Sequence, residues 1–203
     1  MELVNYHTIS EIEDLLSSNK KLNLSENSKE KIKNCNAYLL SKISDGNSTI
    51  YGVNTGFGSL CNTRIDSKDL TQLQVNLIRS HACGMGDYVP HDIIKLMLLL
   101  KVKSLSYGHS GVQLKTVEKL LDFFNTSTLP VIYELGSLGA SGDLAPLSHM
   151  SLPLIGEGKV WSKDSQTIES AKPSDLVLGP KEGLALINGT QFMQAYGLSC
   201  LFK

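Results

Sequence analysis

Between Gly136 and Pro146 the chain reads Gly-Ser-Leu-Gly-Ala-Ser-Gly-Asp-Leu-Ala-Pro, the segment richest in residues that could do unusual chemistry. Three familiar readings fail there. A nucleophile elbow needs glycine two residues after its serine, and Asp143 stands in that place, which argues against a hydrolase built on Ser141 and one of the five histidines. A dinucleotide loop needs G-x-G-x-x-G, whereas these glycines fall at 136, 139 and 142. A phosphate loop needs Gly-Lys followed by Ser or Thr, but Gly158-Lys159 is followed by Val160. Two readings stay open. One is a tight turn before a helix capped by Asp143. The other is ring closure: the Gly142 backbone nitrogen attacks the Ala140 carbonyl carbon, closing a five-membered ring around Ser141. Loss of water and of the Ser141 hydroxyl then leaves a methylidene conjugated to an imidazolone. Each residue type has a part: glycine tolerates the bend, alanine is small, and serine carries the leaving group.

Such a loop has to be held by ordered elements, and these are mainly helical. Ser10 and Glu13 form a capping-box pattern ahead of Ile12, Leu15 and Leu16, predicting a short first helix. Ile32, Cys35, Leu39 and Ile43 sit at helical spacing between Ser28 and the Asp45-Gly46 stop. Tyr51 to Gly58, with three glycines and an asparagine, reads as a shaped loop. Leu70, Leu73 and Leu77 mark a helix from Ser67 that ends near Gly84. Pro90 suits the first position of a helix reaching Tyr107, with Gly108 stopping it. Val117, Leu120, Leu121 and Phe124 make a further amphipathic stretch. Strand signals are weak; Val160-Trp161 fits a short hairpin. Thr190 is placed to cap a last helix through Met193, Tyr196 and Cys200. That helix meets no glycine or proline stop before Lys203, so a truncated chain is expected.

Composition narrows the classes of function. Hydrophobic residues make up 41% and charged residues 19% of the 203 positions, an ordinary globular balance. The net charge of −1 leaves no basic footprint for nucleic acid. Cysteines at 35, 61, 83 and 200 form no C-x-x-C pair and no ligand-like spacing. They read as reduced packing residues of a cytoplasmic protein with no metal site. Neither a secretory leader nor a membrane span is evident, since the strongest apolar run, Ile93 to Leu100, is short and carries Lys95. The Asn-x-Ser/Thr sequons at Asn23, Asn47, Asn125 and Asn188 are then chance. No internal repeat or domain boundary is visible.

The segment GSLGASGDLAPLSHMSLPLIGEGKV resembles the active-site region of the aromatic amino acid lyase family, which comprises histidine, phenylalanine and tyrosine ammonia-lyases and related aminomutases. Three further segments follow the family's order: Tyr51–Gly58 (YGVNTGFG), Leu77–Gly86 (LIRSHACGMG) and Asn188–Gln191 (NGTQ). The first fifty residues resemble the family only loosely. The resemblance implies the N-terminal portion of an all-helical lyase fold over residues 1–203, with few short strands, glycine-rich active-site loops and the C-terminal helical bundle missing.

It also implies a built-in cofactor, 4-methylideneimidazol-5-one, formed autocatalytically from Ala140, Ser141 and Gly142. Such a group does electrophilic chemistry that unmodified side chains cannot. Tyr51 matches the loop tyrosine proposed to remove the β-proton, a task for which a phenol must be tuned or oriented. Asn188 matches a residue that contacts the substrate or the imidazolone; by itself Asn188-Gly189 would read as a turn. Ser80-His81 matches the pattern typical of histidine lyases, and His81 could hydrogen-bond an imidazole. A helix-borne histidine without that match would read as structural. The implied reaction is deamination of L-histidine to urocanate and ammonia, a step of histidine catabolism. Tyrosine ammonia-lyase or tyrosine 2,3-aminomutase chemistry is the alternative, and a catalytically dead assembly module a third reading. Relatives are longer homotetramers whose sites draw on several subunits and on a C-terminal carboxylate-binding arginine. The expected partners are therefore an amino acid and further copies of the chain, with no nucleic acid or membrane, and the fragment alone is expected to be inactive.

Overall fold

Helix α4 (His91–Ser106) is apolar nearly all round, and Ile93, Ile94, Leu96, Met97, Leu98, Leu99, Val102 and Leu105 are buried along it. A helix with no polar face is satisfied only at the centre of a molecule. Here α2 (Glu26–Ser44), α5 (Leu114–Thr126) and α8 (Gln191–Leu201) pack against it. The computed structural model describes residues 2–3, 7–18, 20–45, 49–137, 139, 142–162 and 167–202. The architecture is mainly helical, as the spacing predicts.

Several element ends differ from the expectation. Helix α1 (Ile9–Ser17) starts two residues earlier, because the capping box is Thr8 with Glu11 rather than Ser10 with Glu13. The Glu11 amide donates to Thr8 Oγ1 at 3.2 Å, and the Thr8 amide donates to the Glu11 carboxylate at 2.6 Å. This satisfies two helix-end donors reciprocally. Thr190 does precede α8, but its side chain makes no capping hydrogen bond. The four cysteines are free; Cys83 and Cys200 are exposed and the other two half-buried, so none is a core packing residue.

Strands come in pairs. β1 (Glu2–Leu3) runs parallel to β2 (Asn23–Leu24), and β5 (Lys159–Trp161) forms the expected hairpin with β6 (Ile168–Ser170). β3 (Met85–Tyr88) pairs antiparallel, with an irregular register, to β4 (Tyr133–Leu135). The sequence did not signal β3: all four of its residues are exposed and a glycine interrupts it, so it shows no alternation.

Behind the glycine-rich loops lie α3 (Leu70–His81), α6 (Leu144–Ser151) and α7 (Glu182–Ile187), packed on one another. The α3–α7 approach is close enough to demand glycine: a Cβ at Gly183 would sit 2.6 Å from the Gln74 carbonyl oxygen. Glu182, fully buried at the start of α7, is held by four donors. These are the Gln113 amide at 2.8 Å, Gln113 Nε2 at 2.6 Å, Thr116 Oγ1 at 2.6 Å and the Gly179 amide at 2.7 Å. A buried carboxylate is tolerable only when satisfied in this way.

Candidate active site

Tyr51, His81 and Asn188, far apart in the chain, line one cleft of about 250 Å³. Leu77, Leu184 and Ile187 supply apolar wall, and Leu144 brings the end of the 136–143 loop to the same place. Each polar side chain reaches the cleft from an element end. Tyr51 stands at the start of the glycine-rich loop, where its ring meets Phe57 edge-on at 6.1 Å. His81 is the last residue of α3 and Asn188 the C-cap of α7. Element ends leave side chains free of helix packing, which suits residues that must face a ligand.

His81 Nδ1 lies 3.0 Å from both the Leu77 carbonyl oxygen and Ser80 Oγ. The carbonyl can only accept, so its contact is a hydrogen bond in the tautomer that carries the proton on Nδ1. In that tautomer the lone pair is on Nε2, which makes no hydrogen bond among the described residues. A bound imidazole N–H or phenol O–H would find an acceptor there. The Asn188 side chain likewise has no hydrogen-bond partner among the described residues, while its amide closes α7 onto Leu184 at 2.9 Å.

Of the three candidate precursors, Gly142 is described and Ala140 and Ser141 lie outside the described residues. Gly142 has φ +107°, a conformation that disfavours any residue with a Cβ. Its amide donates to the Gly139 carbonyl at 3.3 Å. Asp143 caps α6 through the Ala145 amide at 2.9 Å. The same oxygen accepts from the Ser137 amide and hydroxyl, both at 2.7 Å. One carboxylate therefore ties both shoulders of the loop together. This agrees with the reading of Asp143 as a helix cap.

Two ties fix the cleft's walls. Arg79 on α3 grips Glu157 through Nε at 3.1 and 2.9 Å and through a further Nη2 contact. His149 on α6 accepts from the Gly84 amide through Nε2 at 2.9 Å, while its ring meets Tyr133 at 5.1 Å. Burial pushes His149 below the usual imidazole value, and the nearby Asp143 carboxylate partly opposes the shift. The neutral form that can accept is thus the favoured one.

The sequence reading missed Leu144, Leu184 and Ile187 as cleft residues, and His149 as a tie. Helix α7 has only six residues, too few for a helical period to reveal an inward face. His149 was visible inside the resembling segment, but nothing local pointed to Gly84.

The family model described as aromatic amino acid lyase matches residues 7–203. A histidine ammonia-lyase from Staphylococcus aureus is 44% identical over 196 residues, covering 94% of this chain and 39% of that protein. Among solved structures, histidine ammonia-lyase from Trypanosoma cruzi superposes with a TM-score of 0.87 at 34% identity, over 99% of this chain and 40% of that one. Tyrosine aminomutase from Streptomyces globisporus gives 0.83 at 32% identity, over 95% and 37%. The chain thus spans about two fifths of the length of the relatives it matches. With matching motifs, a matching fold and a family match over nearly every residue, the chain belongs to the aromatic amino acid lyase family.

Proposed function

We propose that this chain is the electrophile-bearing part of a histidine ammonia-lyase, which converts L-histidine to urocanate and ammonia. The observation that carries the reading is the meeting of Tyr51, His81 and Asn188 at one cleft beside the 136–143 loop. Ala140, Ser141 and Gly142 would hold 4-methylideneimidazol-5-one, which supplies an electrophile that no unmodified side chain offers. The Tyr51 hydroxyl takes the β-proton of the substrate. His81 Nε2 accepts from the imidazole N–H, and the Asn188 amide orients the substrate. Leu77, Leu184 and Ile187 exclude water around the reacting atoms, which strengthens each polar contact. The reading includes a cytoplasmic homo-oligomer and an inactive 203-residue chain.

A second reading, a tyrosine aminomutase or ammonia-lyase, is favoured by the tyrosine aminomutase likeness noted above. A phenol O–H could donate to the same His81 nitrogen. The test is a chimera joining this chain to the part of the S. aureus relative that it does not cover. Formation of urocanate from L-histidine, with little product from L-tyrosine, is expected; the reverse preference selects the second reading. Intact mass of the chimera should show the loss of two waters. An unshifted mass alongside full turnover would overturn the proposed electrophile. Turnover by the 203-residue chain alone would show that it suffices for catalysis.

A further inference from the structure

A second cavity, of about 190 Å³, lies on the other side of Asn188 and Leu184, which line both spaces. Its polar wall is formed by Lys101, Ser104, His109, Ser110 and Lys181, with no aspartate or glutamate among the lining residues. Lys101 sits on the central helix α4 and is only 2% exposed. Among the described residues its Nζ makes no hydrogen bond and no ion pair. Burial with nothing to compensate it brings its pKa down to about 7. Buried ammonium groups are ordinarily paired, so an unpaired one opening into a cavity lacks a counter-charge. Lys181 spends one donor on the Ser110 carbonyl at 2.7 Å and has two left. It also holds φ +71°, a left-handed conformation rare for residues with side chains. Strain of this kind collects where a ligand contact is built. Glu182, the residue next to Lys181, cannot serve as the missing anion because its carboxylate is already taken by four donors.

We infer that the Lys101–Lys181 cavity is an anion site that takes a carboxylate carried on a short aliphatic stem. The two ammonium groups and the Ser104 and Ser110 hydroxyls meet the carboxylate. Leu105, Leu184 and Ala185, which complete the wall, suit methylene groups and would be wasted on inorganic phosphate. Free organic acids and the side chain of a glutamate from a second copy share this chemistry. The inference stands apart from the lyase reading, because none of its cationic residues belongs to the proposed catalytic set.

The test uses the 203-residue chain with isotope-labelled lysine, following the Lys101 side-chain resonance by NMR. Lys101→Met, which removes the charge and keeps the volume, identifies that resonance. Propionate is expected to move it saturably, and inorganic phosphate to do so more weakly. Affinity for propionate should fall at least about tenfold in Lys101→Met and in Lys181→Gln, the effect of losing one charge-assisted hydrogen bond. Lys101→Met should also melt at a higher temperature than the parent chain; if it does not fold, Lys181→Gln carries the test. Competition by L-glutamate identifies a free acid as the source. A Lys101 signal that varies with chain concentration in the absence of added acid identifies a second copy. No saturable response to propionate, stronger binding of phosphate, or affinity unchanged in the variants would each overturn the assignment.

Discussion

Tyr51 and Glu182 sit on two regions of the molecule organised in opposite ways. Tyr51 is 54% exposed, and its hydroxyl has no hydrogen-bond partner among the described residues. Glu182 is fully buried with four donors on its carboxylate. The loops around residues 51–58 and 136–143 carry the groups proposed to react, whereas α3, α6 and α7 carry the contacts that hold those loops. The Tyr51 hydroxyl is left unspent among the described residues, whereas the Glu182 carboxylate is consumed by the fold. Variants on the two sides should therefore separate activity from stability.

The largest expected effect lies on the loop side. Ser141→Ala in the chimera removes the only leaving hydroxyl of the triplet and should abolish turnover, with stability changed by about 0.5 kcal/mol or less. Easily measurable turnover by that variant would remove the electrophile from the account. Next comes Tyr51→Phe, for which kcat should fall about 100- to 10,000-fold, the usual worth of a general base. Its melting temperature should stay that of the parent, since the hydroxyl has no hydrogen-bond partner among the described residues; a variant within a few-fold of parent kcat would place the base elsewhere.

On the helix side, Glu182→Ala leaves several buried donors without an acceptor and should cost about 3 kcal/mol or more. Chemical denaturation of the 203-residue chain measures this, and a loss below about 1 kcal/mol would mean that water or repacking satisfies those donors. The smallest effect belongs to His149. Its folded-state pKa is depressed by burial, so the unfolded chain binds the proton more readily. The tie to Gly84 thus contributes fully above the ordinary imidazole pKa of about 6.5, and its contribution is lost as pH falls through the lower folded value. His149→Gln should flatten the decline of stability below about pH 6.5. Identical pH profiles for variant and parent would assign the acid sensitivity to other groups.

The same division explains what could be read in advance. Helices α2, α3 and α5 were legible because Ile32, Leu77 and Val117 recur on a helical period and are buried, and α4 through Pro90 at its start and Gly108 at its stop. The candidate site was legible through unusual residues in fixed order, such as Gly142 ahead of the Asp143 cap. What stayed hidden depends on contacts between distant parts of the chain. The β3–β4 pairing is made by the backbone of exposed residues, and the Gly84–His149 bond leaves no local pattern. Lys101 looks like a polar break in an apolar run; only the packing around α4 reveals a buried charge with nothing to answer it.

Those long-range ties also bear on the order in which the molecule assembles. Gly84 and His149 are 65 residues apart, and Gln74 accepts from the Leu184 amide across 110 residues. Helices α4 and α5, by contrast, are neighbours in sequence and pack directly on each other. Closing long loops slows folding relative to local pairing, because chain entropy is lost before the contacts form. The cleft should accordingly be among the last parts to acquire native structure. Pulse-labelled hydrogen exchange during refolding would then find the amides of α4 and α5 protected before those of α3 and α7. A chain emerging from synthesis would bury its core first and only afterwards bring Tyr51, His81 and Asn188 together.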